Sequence, residues 1–418
     1  MKHSSQFVLA CLTCLLGAQP AWADSSDEMA QLRRQVQQLT DLVQRLNERL
    51  AAVEQTAEAS PGPSAAGPSS QGLSQQARGS LSAFNPEIGV VADIVGQFSE
   101  SSADGEGNDK LTAREVEVVF GHPIDPYSRL DVTASFSDVE AANLEEAYIT
   151  HWGLPELKTR LGRLKPKIGK AVAIHRDSLD TVDEPLVVAQ YLGAEGLSRT
   201  GVELTGFLPT PWTAVTHELT GGVMEGGIGE GGTLFGTTRR RPSLYAHLKN
   251  FWDISDTSNV ELGVTYLTGS KDADRQFEVD ALGLDATLVH YVTPSNKLKW
   301  QNELYVQNRD EAFSIADDGT RTNFGDKPWG LYTLLDYRLS PRVGIGGRFD
   351  YVEPVDTAPV LLVRDGDTAW SGYMTFYQSE FARWRLQYRH TDYVLGGDDN
   401  TVFVQGTVAI GVHKHALQ

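Results

Sequence analysis

The sequence predicts an all-β transmembrane barrel of about 16 antiparallel strands, preceded by a short α-helical coiled coil. Three observations predict it. From about Phe84 to the end, apolar and polar residues alternate with period two, which gives each strand one apolar and one polar face. The connections between these strands are short on one side and long and polar on the other, the pattern of an outer-membrane barrel. Ahead of them runs a stretch of heptads.

The elements follow in chain order. Residues 1–23 read as a signal peptide: Lys2 and His3 precede the apolar "FVLACLTCLLGA", and "AWA" (Ala21-Trp22-Ala23) supplies a small-x-small cleavage site. The spacing of Cys11 and Cys14 suits redox or metal chemistry, but both lie inside this segment. Cleavage before Cys11, as in a lipoprotein, would leave too short an apolar run. Cleavage at Ala23 leaves a mature chain without cysteine, so its stability does not come from disulfides. No later segment has the roughly 20 apolar residues of a membrane-spanning helix.

Residues 27–55 carry the coiled coil. Met29, Val36, Val43 and Leu50 take position a, and Leu32, Leu39, Leu46 and Val53 take position d. A lone amphipathic helix is the alternative. Residues 56–83 are rich in Pro, Gly, Ser and Ala and read as a flexible linker. Residues 84–418 form the barrel. In "RLDVTASFS", Leu130, Val132, Ala134 and Phe136 share one face; Val260, Leu262, Val264 and Tyr266 do so in "NVELGVTYL", and Val402, Val404, Val408, Ile410 and Val412 near the end. The short connections are Gly153–Glu156, Leu208–Pro211, Thr293–Asn296 and Ser340–Arg342. The long ones are Ser99–Lys110, Lys165–Arg199, Glu225–Pro242, Arg309–Lys327, Glu353–Thr368 and Thr391–Asn400. Trp152, Trp212, Trp252, Trp329 and Trp370 fall near strand ends, where interface girdles sit.

The net charge is -19, yet "GRLKPKIGKAVAIHR" gathers Arg163, Lys165, Lys167, Lys170, His175 and Arg176 at the start of the third external connection. Two strands add to this set. "LKTRLGR" turns Lys158 and Arg160 inward; "RWRLQYRH" turns Arg383, Arg385, Gln387 and Arg389 inward, with Trp384, Leu386, Tyr388 and His390 outward. A lipid-facing Arg or Lys would cost about 2–4 kcal/mol at the midplane, which fixes the phase. Arg163 falls in the outward phase unless the strand has ended before it. Rings of Arg and Lys favour anions, and Arg holds phosphate or carboxylate by paired hydrogen bonds. The opposing reading is that Asp177, Asp180, Asp183 and Glu184, in the same connection, neutralise them.

The order of signal, coiled coil, linker, "FNPEIGVVADI", "LEEAYI" and "GRLKPKIG" resembles the phosphate-selective porin-like family of Gram-negative outer membranes. "FNPEIG" with "DEPLVVAQYLGAEGLSRTGVEL" also resembles a related group of plugless sixteen-stranded barrels, some associated with zinc or siderophore supply. The resemblance implies an oligomeric pore for small solutes, a trimer first. The third external connection, which commonly folds inward in sixteen-stranded porins, is expected to narrow it and to gather the cations at a basic constriction that favours anions. Passive diffusion is expected, in contact with membrane lipid and lipopolysaccharide, with no cofactor, no resident metal and no nucleic-acid partner. The resemblance implies no substrate; Lys158, Arg160, Lys165 and Lys167 are the positions matching the family's phosphate sites. The chain departs from the pattern in ending "GVHKHALQ" without a terminal aromatic.

The weaker motifs point elsewhere. "GIGEGG" (Gly227–Gly232) matches a dinucleotide-binding pattern but lies in a Gly-rich loop without the strand and helix it needs. His413 and His415 are only two ligands. His175 with Asp177 and Asp180 suits a bound cation. His290 and His390 lie in apolar phases, where a barrel hydrolase would carry its base, but no adjacent strand shows an obvious Ser at matching depth, so an enzyme is not expected. Uptake of a metal or metal chelate, and tethering of the envelope by the coiled coil, are the further alternatives.

Overall fold

A computed structural model describes residues 86–100, 109–138, 141–193, 196–211, 214–226, 241–270, 278–315, 321–355, 365–394 and 396–411. The signal peptide, coiled coil, linker, Trp212, the "GIGEGG" motif, His413 and His415 lie outside them.

The strands are β1 (Glu87–Ser99), β2 (Asp109–Asp125), β3 (Ser128–Phe136), β4 (Asn143–Leu154), β5 (Leu157–Leu164), β6 (Arg199–Phe207), β7 (Thr216–Met224), β8 (Ser243–Ser255) and β9 (Ser258–Ser270). They continue as β10 (Glu278–Thr293), β11 (Asn296–Ile315), β12 (Arg321–Asp326), β13 (Trp329–Ser340), β14 (Val343–Val352), β15 (Asp367–Ser379), β16 (Ala382–Tyr393) and β17 (Gly397–Gly411). Each pairs antiparallel with its sequence neighbours, except that β12 and β13 do not pair with each other. β17 returns to β1 from Gly89↔Gly411 to Ser99↔Thr401, so no edge is left open, as hydrocarbon requires. β11 pairs with β13 along its first half and with β12 beyond Arg309. β12 and β13 are therefore one wall strand interrupted at Lys327-Pro328, where proline cannot donate to the ladder. The wall has sixteen strands.

The alternation places side chains as the sequence predicts. Trp384, Leu386 and Tyr388 are about half exposed on the outer face, while Arg383, Arg385 and Gln387 are buried inside. Leu130, Phe136, Leu262, Val264, Tyr266, Val402, Val404 and Ile410 also face out. Trp152, Trp329 and Trp370 are exposed on the outer wall, whereas Trp252 is half-buried.

Two connections differ from the expectation. Arg309–Lys327 is mostly hairpin, with β11 running to Ile315 and β12 starting at Arg321; Thr391–Asn400 is a tight turn, with β16 running to Tyr393 and β17 starting at Gly397. Both sequences are too polar to resemble a membrane strand, but a hairpin extending beyond the bilayer has no need of an apolar face.

The connection between β5 and β6 folds inward. It contains one turn of 3-10 helix (Arg176–Ser178) and a short helix α1 (Leu186–Tyr191). Pro185 precedes α1, where a missing N–H is harmless. Gly193, at φ 114°, ends it with its N–H on the Val188 carbonyl at 3.2 Å. Ile168, Val172, Leu179, Val187, Tyr191 and Leu192 of this loop pack against Tyr245, Leu267, Val279, Tyr305, Tyr332 and Leu334 of the inner wall. Each large side chain buried this way contributes about 1.5–3 kcal/mol.

Candidate functional site: the infolded loop and the lumen wall

The loop is held by polar contacts as well as by its apolar side. Wall carboxylates and a wall amide accept backbone N–H groups from it: Lys165 N–H donates to Glu146 Oε1 (2.9 Å), Lys167 N–H to Glu203 Oε2 (3.0 Å), and Lys170 and Ala171 N–H both to Glu303 Oε1 (2.9 and 2.6 Å). Further along, Val182 N–H donates to Gln387 Oε1 (2.7 Å) and Leu186 N–H to Asp350 Oδ1 (3.0 Å). An irregular segment inside a barrel needs such acceptors for its backbone donors. Gly169, at φ 57°, makes the approach to Glu303 possible, since a Cβ there would collide with the Glu303 carboxylate and the Tyr305 hydroxyl.

Side-chain charge is segregated along the loop, and the wall is segregated to match. The first half carries cations and faces acids of β2, β4, β9 and β10. Lys165 Nζ lies 3.3 Å from Glu145 Oε2, and Lys170 Nζ meets Glu261 and Asp285. His175 is buried with Nδ1 2.9 Å from Glu145 Oε2 and 3.0 Å from Glu117 Oε2, and Nε2 3.1 Å from Glu146 Oε2. Burial and Lys165 push its pKa down, but the three glutamates against the ring outweigh both and hold it well above the ordinary histidine range.

The second half of the loop carries acids and faces cations of β11, β14 and β16. Asp180 Oδ2 lies 2.5 Å from Lys299 Nζ. Asp183 accepts from Arg348 Nη2 (2.8 Å), Arg389 Nη1 (2.9 Å) and the Gln387 amide. Burial would raise the pKa of Asp183, but Arg348 and then Arg389 outweigh it and hold the carboxyl below its usual range. Arg383 donates to the Asp177 carbonyl.

The sequence-predicted cations therefore do not form one bare ring. Arg160, on β5, donates to Glu203 Oε1 (2.7 Å) and to the Lys165 carbonyl (2.8 Å). Lys158 is inward in phase but exposed, near the turn between β4 and β5. Lys167 is half-buried, and its pKa is lowered by burial first and then by Lys158 and Arg160 nearby. Arg163 is half-buried in the outward phase: β5 continues through it to the inward, buried Leu164. Arg176 is half-buried in the 3-10 turn. Arg385 is 3% exposed and donates to the neutral Thr375 Oγ1 (3.0 Å) and Gln405 Oε1 (3.1 Å).

Three groups of residues escape a strict reading of alternation or go beyond it. Arg348 is fully buried between Asp183 and Asp350; its strand "VGIGGRFDYV" contains too many glycines to show a clear phase. Arg114 and Glu115 both face inward because the β1–β2 register shifts at Asp93/Ile94; Arg114 Nη2 lies 2.6 Å from Asp93 Oδ2. Glu145 and Glu146 both face inward because the β3–β4 register shifts at Thr133/Ala134. Each shift is a β-bulge, one extra residue that re-aims a side chain.

The expectation that no serine matches an outward histidine is corrected. Ser258 pairs with His290 in register, and its hydroxyl lies 2.8 Å from Nδ1; Ser128 does the same with His151 at 3.0 Å. Both pairs sit at strand ends beside short turns. Among the described residues, neither ring is hydrogen-bonded to a third group that would orient it as a base.

No protein-family model matches the chain, and no curated protein matches it. Solved structures do. An anion-selective porin from Comamonas acidovorans superposes with a TM-score of 0.53 at 10% identity, over 78% of this chain and 99% of that one. OmpF of Salmonella typhi, in complex with daunomycin, gives 0.53 at 10% identity over 78% and 97%. The outer-membrane channel DcaP of Acinetobacter baumannii gives 0.51 at 12% identity over 78% and 96%. At these identities the likeness is one of architecture, and together with the closed sixteen-strand wall and the infolded third loop it gives this chain the porin fold.

Proposed function

We propose that the protein is an outer-membrane channel for passive diffusion of small polar solutes, narrowed by the loop between β5 and β6. The observation that carries this is the closed wall with an apolar exterior and a charged interior, crossed by a loop fixed to opposite sides of it. Likeness to channels of known outer-membrane type supports the location.

The interior charge argues against a simple anion filter. Among the described residues, fourteen buried carboxylates face seven buried lysines and arginines. Lys165 and Lys170 of the loop and Arg383, Arg385 and Arg389 of β16 are engaged by acids, carbonyls or neutral polar side chains. A lumen with surplus carboxylate prefers cations. Reversal potential across a planar bilayer in a salt gradient tests this: cation preference is expected, and anion preference in the unaltered protein would overturn it. Absence of any conductance from refolded, heat-modifiable barrel would sink the channel reading itself.

The heptads of residues 27–55 support a homo-oligomer associated through a periplasmic coiled coil; the trimer, taken first, rests on the resemblance to the porin-like family and not on the heptads. Deleting those residues should leave single-channel conductance intact and weaken oligomers on a native gel. Oligomers unaffected by the deletion would refute this assembly route.

A further inference from the structure

We propose that Glu117, Glu145 and His175 form a binding site for a divalent transition-metal cation where the infolded loop meets β2 and β4. Their ligand atoms all lie within 4.8 Å of one another. His175 Nδ1 stands 3.0 Å from Glu117 Oε2 and 2.9 Å from Glu145 Oε2. Ligands at about 2.0–2.2 Å from a common metal stand roughly 3.0–3.5 Å apart, so the three atoms need to move little to share one.

Two further observations point to a ligand. Glu117 and Glu145 are each 2% exposed. Nδ1 carries one proton at most; donated to Glu145 Oε2, it leaves Glu117 Oε2 and Glu145 Oε1 without a donor. Orphaned carboxylate oxygens at such depth carry a heavy desolvation penalty unless a cation meets them. In addition, His175 Nε2 lies 3.1 Å from Glu146 Oε2. With Nδ1 on a metal, Nε2–H donates to that carboxylate, which is how a ligating imidazole is held in orientation and tautomer. The bulge in β4 makes this arrangement available by bringing Glu145 and Glu146 to the same face.

The charge around the site is consistent with a cation. Glu115, Glu117, Glu145 and Glu146 meet Lys165, whose Nζ is 3.3 Å from Glu145 Oε2, and His175; Arg176 acts on Glu115 from further away. A proton on His175 offsets one of these acids, and a divalent ion on neutral His175 offsets two. Imidazole with two carboxylates suits Mn2+, Fe2+, Co2+ or Zn2+ and disfavours Cu+.

The test uses the full-length protein in detergent, stripped with a chelator and titrated calorimetrically with Mn2+ and Zn2+. One equivalent per chain is expected. Glu117→Gln, Glu145→Gln and His175→Asn should each weaken binding by about 100-fold or more, and Glu146→Gln by about 10-fold. Lys165→Met, which removes the competing ammonium, should tighten it. A His413→Gln/His415→Gln variant should behave as wild type, separating this site from the terminal histidines. X-ray absorption of the loaded wild type should show oxygen and nitrogen neighbours with imidazole scattering. This measurement stands even if a variant fails to fold. Absence of saturable binding by the wild type overturns the proposal, as does binding that survives all three ligand substitutions. Conductance in chelator tests the channel separately: a metal-binding barrel that does not conduct keeps this site and loses the channel, and the reverse outcome keeps the channel and loses the site.

Discussion

Asp183 shows how one side chain fixes the loop. It sits where Arg348, Arg389 and Gln387 converge, so Asp183→Asn removes the charge while keeping the size. Breaking one partner of a buried ion pair costs about 3–5 kcal/mol, because the other charge stays behind. Arg348 retains Asp350 at 2.7 Å, which places the variant toward the lower end of that range. Expected are noisier single-channel currents and faster proteolysis within residues 177–185, with an unchanged heat-modifiable barrel. The pH dependence has a definite sign. Arg348 and Arg389 depress the pKa of Asp183 against the opposing effect of burial. Its contribution is therefore complete above the unfolded value of about 3.9 and is lost as pH falls through the lower folded value. Proteolysis of the loop should be flat from pH 8 to about pH 4 and increase only below that. Release near pH 6 would show that another group holds the loop.

At the scale of single elements, the strands that obey period two were legible and those that break it carry the unforeseen part of the site. "RWRLQYRH" alternates without exception, and its arginines are inside. "NLEEAYI" does not: in an unbroken strand one of Glu145 and Glu146 would face lipid. The sequence announces that conflict, but only the register shows that a bulge resolves it by turning both inward. The loop's inward course was expected, whereas its docking pattern was not. Contacts such as Arg348 with Asp183 join residues 165 positions apart, and no local period encodes them. Helix α1 is flanked by Pro185 and Gly193, yet its six residues are too few to show helical periodicity. The bulge itself is testable. Deleting Glu145 should join Leu144, outward, directly to Glu146, inward, and restore a regular ladder with β3. The variant should assemble as a heat-modifiable barrel but lose one acid beside Lys165 and His175. Failure to assemble would mean that the bulge is needed for the wall and not only for aiming side chains.

For the molecule as a whole, segregation of charge explains why so acidic a chain gathers cations in one segment. Lys165, Lys170 and His175 meet acids of β2, β4, β9 and β10, and Asp180 and Asp183 meet cations of β11, β14 and β16. Turning the loop end for end would set like charges against each other, so the pattern fixes its direction across the lumen. The wall does not depend on the loop for its ladders. Leu164 pairs directly with Arg199, so a short Gly/Ser connection replacing residues 166–197 can close the β5–β6 hairpin. Such a protein should still form a detergent-stable barrel, although Tyr245, Leu267 and Tyr305 would lose their apolar cover. Its conductance should rise. It should also prefer cations, because thirteen of the fourteen buried carboxylates belong to the wall and not to the replaced segment. Unchanged conductance would mean that ions never pass the loop, and the narrowing assigned to it would have to lie elsewhere along the barrel.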